Sequence, residues 1–216
     1  MKSPQYTLIL ASQSPRRHEL LGHLKIPFKV IASSCEEKSD ERDPALLAKS
    51  LAMQKAHAVA QLCQKEKNPF IVAADTIVVK GEEVFGKPKD QSDSRRMLVA
   101  LGGCRHQVIT GVAFYYREKN GKWGEHLFSQ QTIVEFAQVT EDLLRLYLDS
   151  LESLDKAGAY GIQGQALLFI KAIEGSYSNV VGFPLDQFVA EIKIVLGYAH
   201  DQTGQWRNCF RQCRTD

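Results

Sequence analysis

With 216 residues the chain is long enough for one α/β domain, or two small lobes, around a substantial core. Hydrophobic residues make up 44% and charged residues 24%, the balance of a soluble globular protein. A formal net charge of only +2 argues against a general nucleic-acid or membrane binder.

The five cysteines (Cys35, Cys63, Cys104, Cys209 and Cys213) are odd in number and form no CxxC pair. They therefore predict neither a disulfide framework nor a zinc ribbon, and they suit a reducing compartment. Leu8-Ile9-Leu10 is too short for a leader's apolar core, and Ser14-Pro15-Arg16-Arg17 follows closely. No apolar stretch approaches the roughly 20 residues needed to span a bilayer.

In chain order, a strand is expected over 7–11, then a loop and a helix from about Pro15, with Ser14 as its cap. A second strand covers 28–31, and a polar loop covers 33–43. Asp43-Pro44 opens a long helix to about Lys65, with an apolar stripe of Leu47, Leu51, Ala58 and Leu62. Lys55 falls in the middle of that stripe by helical counting, an unusual place for a cation when solvent-facing positions lay nearby. Residues 70–79 form the central strand, Gly81 a turn, and 83–85 a short return. A helix over 92–101 stops at Gly102-Gly103. Strands over 107–116 and 129–136 flank a turn at Asn120-Gly121. Thr140 caps a helix to about Ser150. A strand at 166–172 and a helix at 184–196 follow. Interleaved strands and helices predict an α/β fold with a mixed sheet. From about Gly197 the composition changes, and the tail is expected to be a short added helix or poorly ordered.

Asp75 stands out chemically. It lies within Phe70-Ile71-Val72-Ala73-Ala74-Asp75-Thr76-Ile77-Val78-Val79, where an ionised carboxylate is costly unless a cation, a metal or hydrogen bonds compensate it. Ser12 to Arg17 join a strand to a helix start, where free backbone N–H groups and two guanidiniums suit a phosphate. Gly81 to Pro88 nearly match a P-loop. However, Pro88 replaces the hydroxyl that would hold magnesium, and Glu82 and Glu83 would face the phosphates. Gly86-Lys87-Pro88 reads better as a rigid turn that presents one lysine. Glu36 and Glu37 offer hard oxygen ligands in a polar loop. Asp155 to Gly164 contains three glycines in seven residues, and the Gln163 amide carries the donor and acceptor needed to read a pyrimidine edge. For 175–183 a polar turn and then a strand or loop are expected.

In this order Leu10 to Arg17, Glu36-Glu37-Lys38, Ala74-Asp75-Thr76, Gly86-Lys87-Pro88, Asp155 to Gly164 and Ser178 to Gly182 resemble the Maf family of nucleoside triphosphate pyrophosphatases. The resemblance implies an elongated mixed β-sheet flanked by helices, in two lobes with a central cleft, like the inosine triphosphatases. It implies a family domain over 1–197, with 198–216 outside the pattern. The implied reaction takes a nucleoside triphosphate to the monophosphate and pyrophosphate, with a divalent cation (magnesium, manganese or cobalt). The implied setting is a cytoplasmic homodimer with no nucleic-acid or membrane partner. Its catalytic aspartate falls on Asp75, its arginines on Arg16 and Arg17, its lysines on Lys55 and Lys87, its loop glutamate on Glu37 and its hydroxyl on Ser12. Glu37 and Asp75 are the implied metal ligands. Arg16, Thr76 and Gln163 resemble the branch that prefers dTTP and UTP over 7-methyl-GTP. One departure is that Glu152-Ser153-Leu154 lacks the family's Glu-Pro, which is expected to loosen that loop.

On this basis Asp75 is expected to orient and deprotonate the attacking water. Arg16, Arg17, Lys55 and Lys87 are expected to neutralise the phosphates, and Thr76 and Gln163 to bind the base. The alternatives are a nucleotide-binding regulator with little turnover, which needs no water-activating carboxylate, and a nucleic-acid module using Arg16-Arg17 and Arg95-Arg96. The near-neutral charge disfavours the second.

Overall fold

The computed structural model describes residues 5–33, 35 and 38–211. Among the described residues the strands are β1 (Thr7–Leu10), β2 (Phe28–Val30), β3 (Pro69–Lys80), β4 (Glu83–Phe85), β5 (Arg105–Arg117), β6 (Trp123–Phe136) and β7 (Ile170–Glu174). The α-helices are α1 (Pro15–Gly22), α2 (Pro44–Leu62), α3 (Gln91–Leu101), α4 (Glu141–Asp149), α5 (Tyr177–Val181) and α6 (Leu185–Val195). The strands form one seven-stranded sheet in the order β2-β1-β3-β5-β6-β7, with β4 paired to β3. β1 is parallel to both β2 and β3, whereas β3/β4 and β6/β7 are antiparallel. The sheet is therefore mixed, as the interleaved pattern requires.

By internal contacts the chain divides into a first unit of Met1–Asp75, Gly111–Ser129 and Leu185–Asp216, and a second of Thr76–Thr110 and Gln130–Pro184. In the first unit, Leu8, Ile9 and Leu10 are fully buried, as an uninterrupted apolar strand in a parallel arrangement should be. Helix α2 buries Ala48, Ala52, Met53, Ala56, Val59 and Ala60. This differs from the expected leucine stripe: Leu47 and Leu51 are half-buried, and Leu62 is exposed. The reason is close approach. A Cβ added to Gly111 would lie 2.3 Å from the backbone carbon of Ala48 and 2.4 Å from the nitrogen of Lys49. Only small side chains fit between helix and strand at that spacing. Asp43 caps α2 by accepting from the Leu46 N–H at 2.8 Å.

Phe70 anchors a second part of this unit. Its ring meets Tyr6 edge-on at 5.4 Å and Phe210 edge-on at 5.7 Å, and it stacks on Tyr116 at 5.1 Å. The described part of the tail runs to Arg211. It forms a 3-10 turn at Gln205–Cys209 and then bridges Phe210 to Tyr6 in parallel. The Tyr6 N–H donates to the Cys209 carbonyl at 2.6 Å, and the Arg211 N–H donates to that of Tyr6 at 3.1 Å. Trp206 is buried beneath it.

In the second unit α3, α4 and the strand ends enclose Phe85, Met97, Leu98, Leu101, Val134, Phe136, Tyr147 and Phe169. Gly81 and Gly103 take the positive φ that the turn after β3 and the end of α3 need. Several expectations shift here. The segment expected as a strand from 166 begins as a 3-10 turn at Gln165–Leu168, and β7 starts only at Ile170. The segment around Ser178, expected as a strand or loop, is the short helix α5, capped by the Ser176 hydroxyl. Ser14 and Thr140 occupy N-cap positions, but neither side chain makes the capping bond.

Candidate active site

In the first unit the parallel register places the site's parts. Leu10 pairs with Val72, and the Ala11 N–H donates to the Val72 carbonyl at 2.7 Å. Continuing that register sets Ser12 beside Ala74, one residue before Asp75. The Ser12 loop therefore leaves the carboxyl end of β1 next to the Asp75 stretch in the middle of β3. Ser12 is buried, and its Oγ accepts from the Ser14 N–H at 3.1 Å, folding the loop into the start of α1. Arg16 and Arg17 occupy the first turn of α1, both half-buried. First-turn N–H groups and the helix dipole favour an anion there.

Lys55 reaches from α2 to Asp75, Nζ to Oδ1 at 2.5 Å, with the two side chains only 14% and 13% exposed. The cation in the buried face of the helix and the carboxylate in the apolar strand thus compensate one another. Both expected oddities resolve into one ion pair, which neutralises a charge the strand could not otherwise hold. Glu37 lies outside the described residues, as does Glu36.

In the second unit Thr76 is half-buried, and its Oγ1 lies 3.0 Å from Thr110 Oγ1. Lys87 is exposed between Gly86 and the buried Pro88, as a turn presenting one lysine should be. Gly86 accepts a hydrogen bond from the Gly158 N–H at 3.0 Å, which ties the Lys87 turn to the glycine-rich segment. Gly158 has a φ of +66°, and an added Cβ there would press on Val78 at 2.9 Å. Gln163 is exposed next to the buried Ile162.

The 161–164 loop is braced rather than loose. Glu152 accepts from the Gln165 N–H at 3.2 Å, and its carboxylate fills the space where a side chain on Gly164 would start. The stem of Lys156 lies against Gly161, and its Nζ reaches Asp155 Oδ1 at 2.6 Å and the Glu152 carbonyl. Glu152, Lys156 and Thr110 carry no sequence signal of such supporting roles. Gly111, a glycine in an apolar strand, was the available hint of a close approach.

Among the described residues no group of three His, Cys, Asp or Glu side chains is arranged to hold a metal. Of the two implied metal ligands, Asp75 is the one among the described residues. A surface cavity of about 620 Å³ in the first unit is lined by Cys63, Pro69, Tyr115, Arg117 and Trp123. It lies at the start of β3, six residues and so about 20 Å of extended chain from Asp75. None of the candidate residues lines it. No helix among the described residues is long and apolar enough to cross a membrane.

Comparison with known proteins adds four findings. The family model described as Maf-like protein matches residues 7–195. A protein of Agathobacter rectalis named dTTP/UTP pyrophosphatase is 40% identical over 196 residues, covering 86% of this chain and 96% of its own. One of the same name from Thermosipho africanus is 42% identical over 180 residues, covering 83% and 88%. Among solved structures, a nucleoside-triphosphatase / dITP/XTP pyrophosphatase from Mycobacterium abscessus aligns over 91% of this chain and 98% of its own. At 12% identity and a TM-score of 0.41, that likeness is too loose to bear weight.

Proposed function

The chain belongs to the Maf-like protein family, and from that premise we propose that it hydrolyses pyrimidine nucleoside triphosphates, dTTP and UTP foremost, to the monophosphate and pyrophosphate. The names of its relatives support this substrate class. The observation that carries the chemistry is Asp75, a carboxylate 13% exposed, held 2.5 Å from Lys55 at the level of the Ser12 loop. An acyl or glycosyl mechanism would need other groups. A triphosphate needs a positioned water and cations.

In this reading Asp75 orients the attacking water and takes its proton, while Lys55 holds the carboxylate in place. Arg16 and Arg17 in the first turn of α1, with Lys55 and Lys87, offset the charge of the phosphates. Ser12 shapes the loop that carries the arginines. Thr76 and Gln163 take the base. Water adds to phosphorus, the bond to the departing pyrophosphate breaks, and the proton goes to Asp75. A divalent cation suits the hard oxygens of Asp75 and Glu37, and magnesium, manganese and cobalt all accept such donors. When bound, it supplies Lewis-acid polarisation of the phosphate oxygens. The same reading carries a homodimer in the cytoplasm, with neither nucleic acid nor membrane as partner. The net charge of +2 suits a protein without a nucleic-acid partner, and the thiols of Cys35, Cys63 and Cys104, which form no disulfide, suit a reducing compartment.

The test is a screen of standard and base-modified nucleoside triphosphates against the purified chain with each metal, scored for pyrophosphate and monophosphate. Release from dTTP and UTP above purine substrates, abolished by a chelator, is the expected result. Calorimetric binding of triphosphates with no pyrophosphate under any metal would instead make the protein a nucleotide-binding regulator.

A further inference from the structure

The family model ends at residue 195, yet the tail beyond it has a place on the sheet. In a strand the N–H and C=O of one residue point to the same side, and successive residues alternate. The N–H groups of Thr7 and Ala11 donate toward β3, to the carbonyls of Asn68 and Val72, while the Leu10 carbonyl accepts from the Ile31 N–H on the β2 side. By that alternation Tyr6 faces the β2 side. β2 begins only at Phe28, opposite Leu8, and so does not reach Tyr6. The tail does. The Tyr6 N–H donates to the Cys209 carbonyl at 2.6 Å, and its carbonyl accepts from the Arg211 N–H at 3.1 Å, so the tail takes this edge of β1 ahead of β2, in parallel.

Side chains extend the same hold to two more elements. The Arg211 guanidinium donates through Nε to Thr7 Oγ1 at 3.1 Å and through Nη2 to the Lys67 carbonyl, just ahead of β3. Phe210 lies edge-on to Phe70 of β3 at 5.7 Å. Arg207 Nε donates to the Leu24 carbonyl at 3.3 Å, two residues past the end of α1. Asp201 fastens the turn itself: its carboxylate accepts from the Trp206 N–H at 3.2 Å, and its carbonyl accepts from Lys193 of α6. The tail thus grips β1, β3 and α1, and each carries a site residue away from the gripped end. β1 runs into Ser12, β3 runs on to Asp75, and α1 begins with Arg16 and Arg17. From Tyr6 to Ser12 is about 20 Å of extended chain.

We infer that the 205–211 segment is a strap, and that its Arg207 and Arg211 are positioning residues for the phosphate side of the site. By tying the far ends of β1, β3 and α1 together, the strap fixes how each element is placed along the others. It thereby sets where Ser12, Arg16 and Arg17 stand against Asp75. The strap acts through the strands, whose extended, paired backbones have little slack along their length. A misplacement of about 1 Å, even from a change far from the chemistry, costs on the order of 100-fold in rate. This rests on the proposed triphosphate hydrolysis and names what positions its phosphate-binding residues.

The experiment measures calorimetric binding of inorganic tripolyphosphate, and kcat and KM for UTP with magnesium, at a temperature where circular dichroism shows each chain folded. It compares the wild type with Arg207→Ala/Arg211→Ala, with Arg211→Lys, and with Thr7→Val, which cuts one strap bond and leaves both arginines. The double variant should bind tripolyphosphate about tenfold more weakly and raise KM by a like factor, with kcat within about twofold because Asp75 keeps its Lys55 partner. Thr7→Val should shift both in the same direction by about threefold, and it decides the matter if the double variant fails to fold. Arg211→Lys keeps a donor for the Lys67 carbonyl and should stay near the wild type. A merely structural strap would lower the melting temperature of the variants and leave Kd and KM where they were, and that result overturns the inference. So does a loss confined to kcat. A wild type that binds tripolyphosphate but releases pyrophosphate from no triphosphate overturns the hydrolysis reading, while the binding comparison still decides the strap. No binding of tripolyphosphate by the wild type overturns both.

Discussion

Lys55 Nζ lies 2.5 Å from Asp75 Oδ1, joining the middle of α2 to the middle of β3. The pair is about seven-eighths shielded from water, so each charge depends on the other. Asp75→Asn keeps the shape and the hydrogen-bonding capacity but removes the base. Its turnover should drop at least about 1000-fold with the far-UV circular dichroism unchanged. Normal pyrophosphate release by Asp75→Asn would take Asp75 out of the mechanism.

Lys55→Met leaves Asp75 as an uncompensated carboxylate in an apolar strand. Unfolding in urea should show a loss of about 2 kcal/mol, and the Lys55→Met/Asp75→Asn double variant should recover part of it. Additive losses would mean that the two groups do not couple.

Gln163 stands on a loop braced by Glu152 and Lys156. Gln163→Ala should raise KM for UTP about tenfold and narrow the preference for pyrimidines, with kcat changed far less. An unchanged substrate profile would make Gln163 structural.

His106 is buried in the second unit, with its Nε2 2.8 Å from the Tyr160 hydroxyl and its ring edge-on to Phe136. Burial pushes its pKa down to about 4, with a smaller push from the charge of Lys80. The unfolded imidazole takes its proton near pH 6.5, so between those values the unfolded state binds more protons than the folded one. Stability from this group is complete above pH 6.5 and lost as the pH falls toward 4, by about 3 kcal/mol in total. Thermal unfolding followed from pH 7 to 4 should show that slope, and His106→Gln should flatten it. An identical slope in the variant would assign the acid sensitivity to other groups.

Helix α2 rests on Gly111 with no room for a methyl group, because the added carbon would meet backbone at 2.3 Å. Gly111→Ala must pry the helix from the strand. It should cost about 3 kcal/mol in chemical denaturation and weaken turnover by displacing Lys55. A fully stable, fully active Gly111→Ala would show that the helix has slack.

The apolar run through β3, the turn glycines and the Pro15 and Pro44 helix starts made the alternation of strands and helices legible in the chain. Local backbone preference and burial periodicity act within a few residues, so they survive without a fold. Asp75 and Lys55 were each conspicuous for the same reason, as charges where oily side chains belong. That they neutralise each other across twenty residues of sequence was decided only when α2 lay on β3. The face that α2 buries also waited on tertiary contact, since the alanines won over the leucines through the close approach at Gly111.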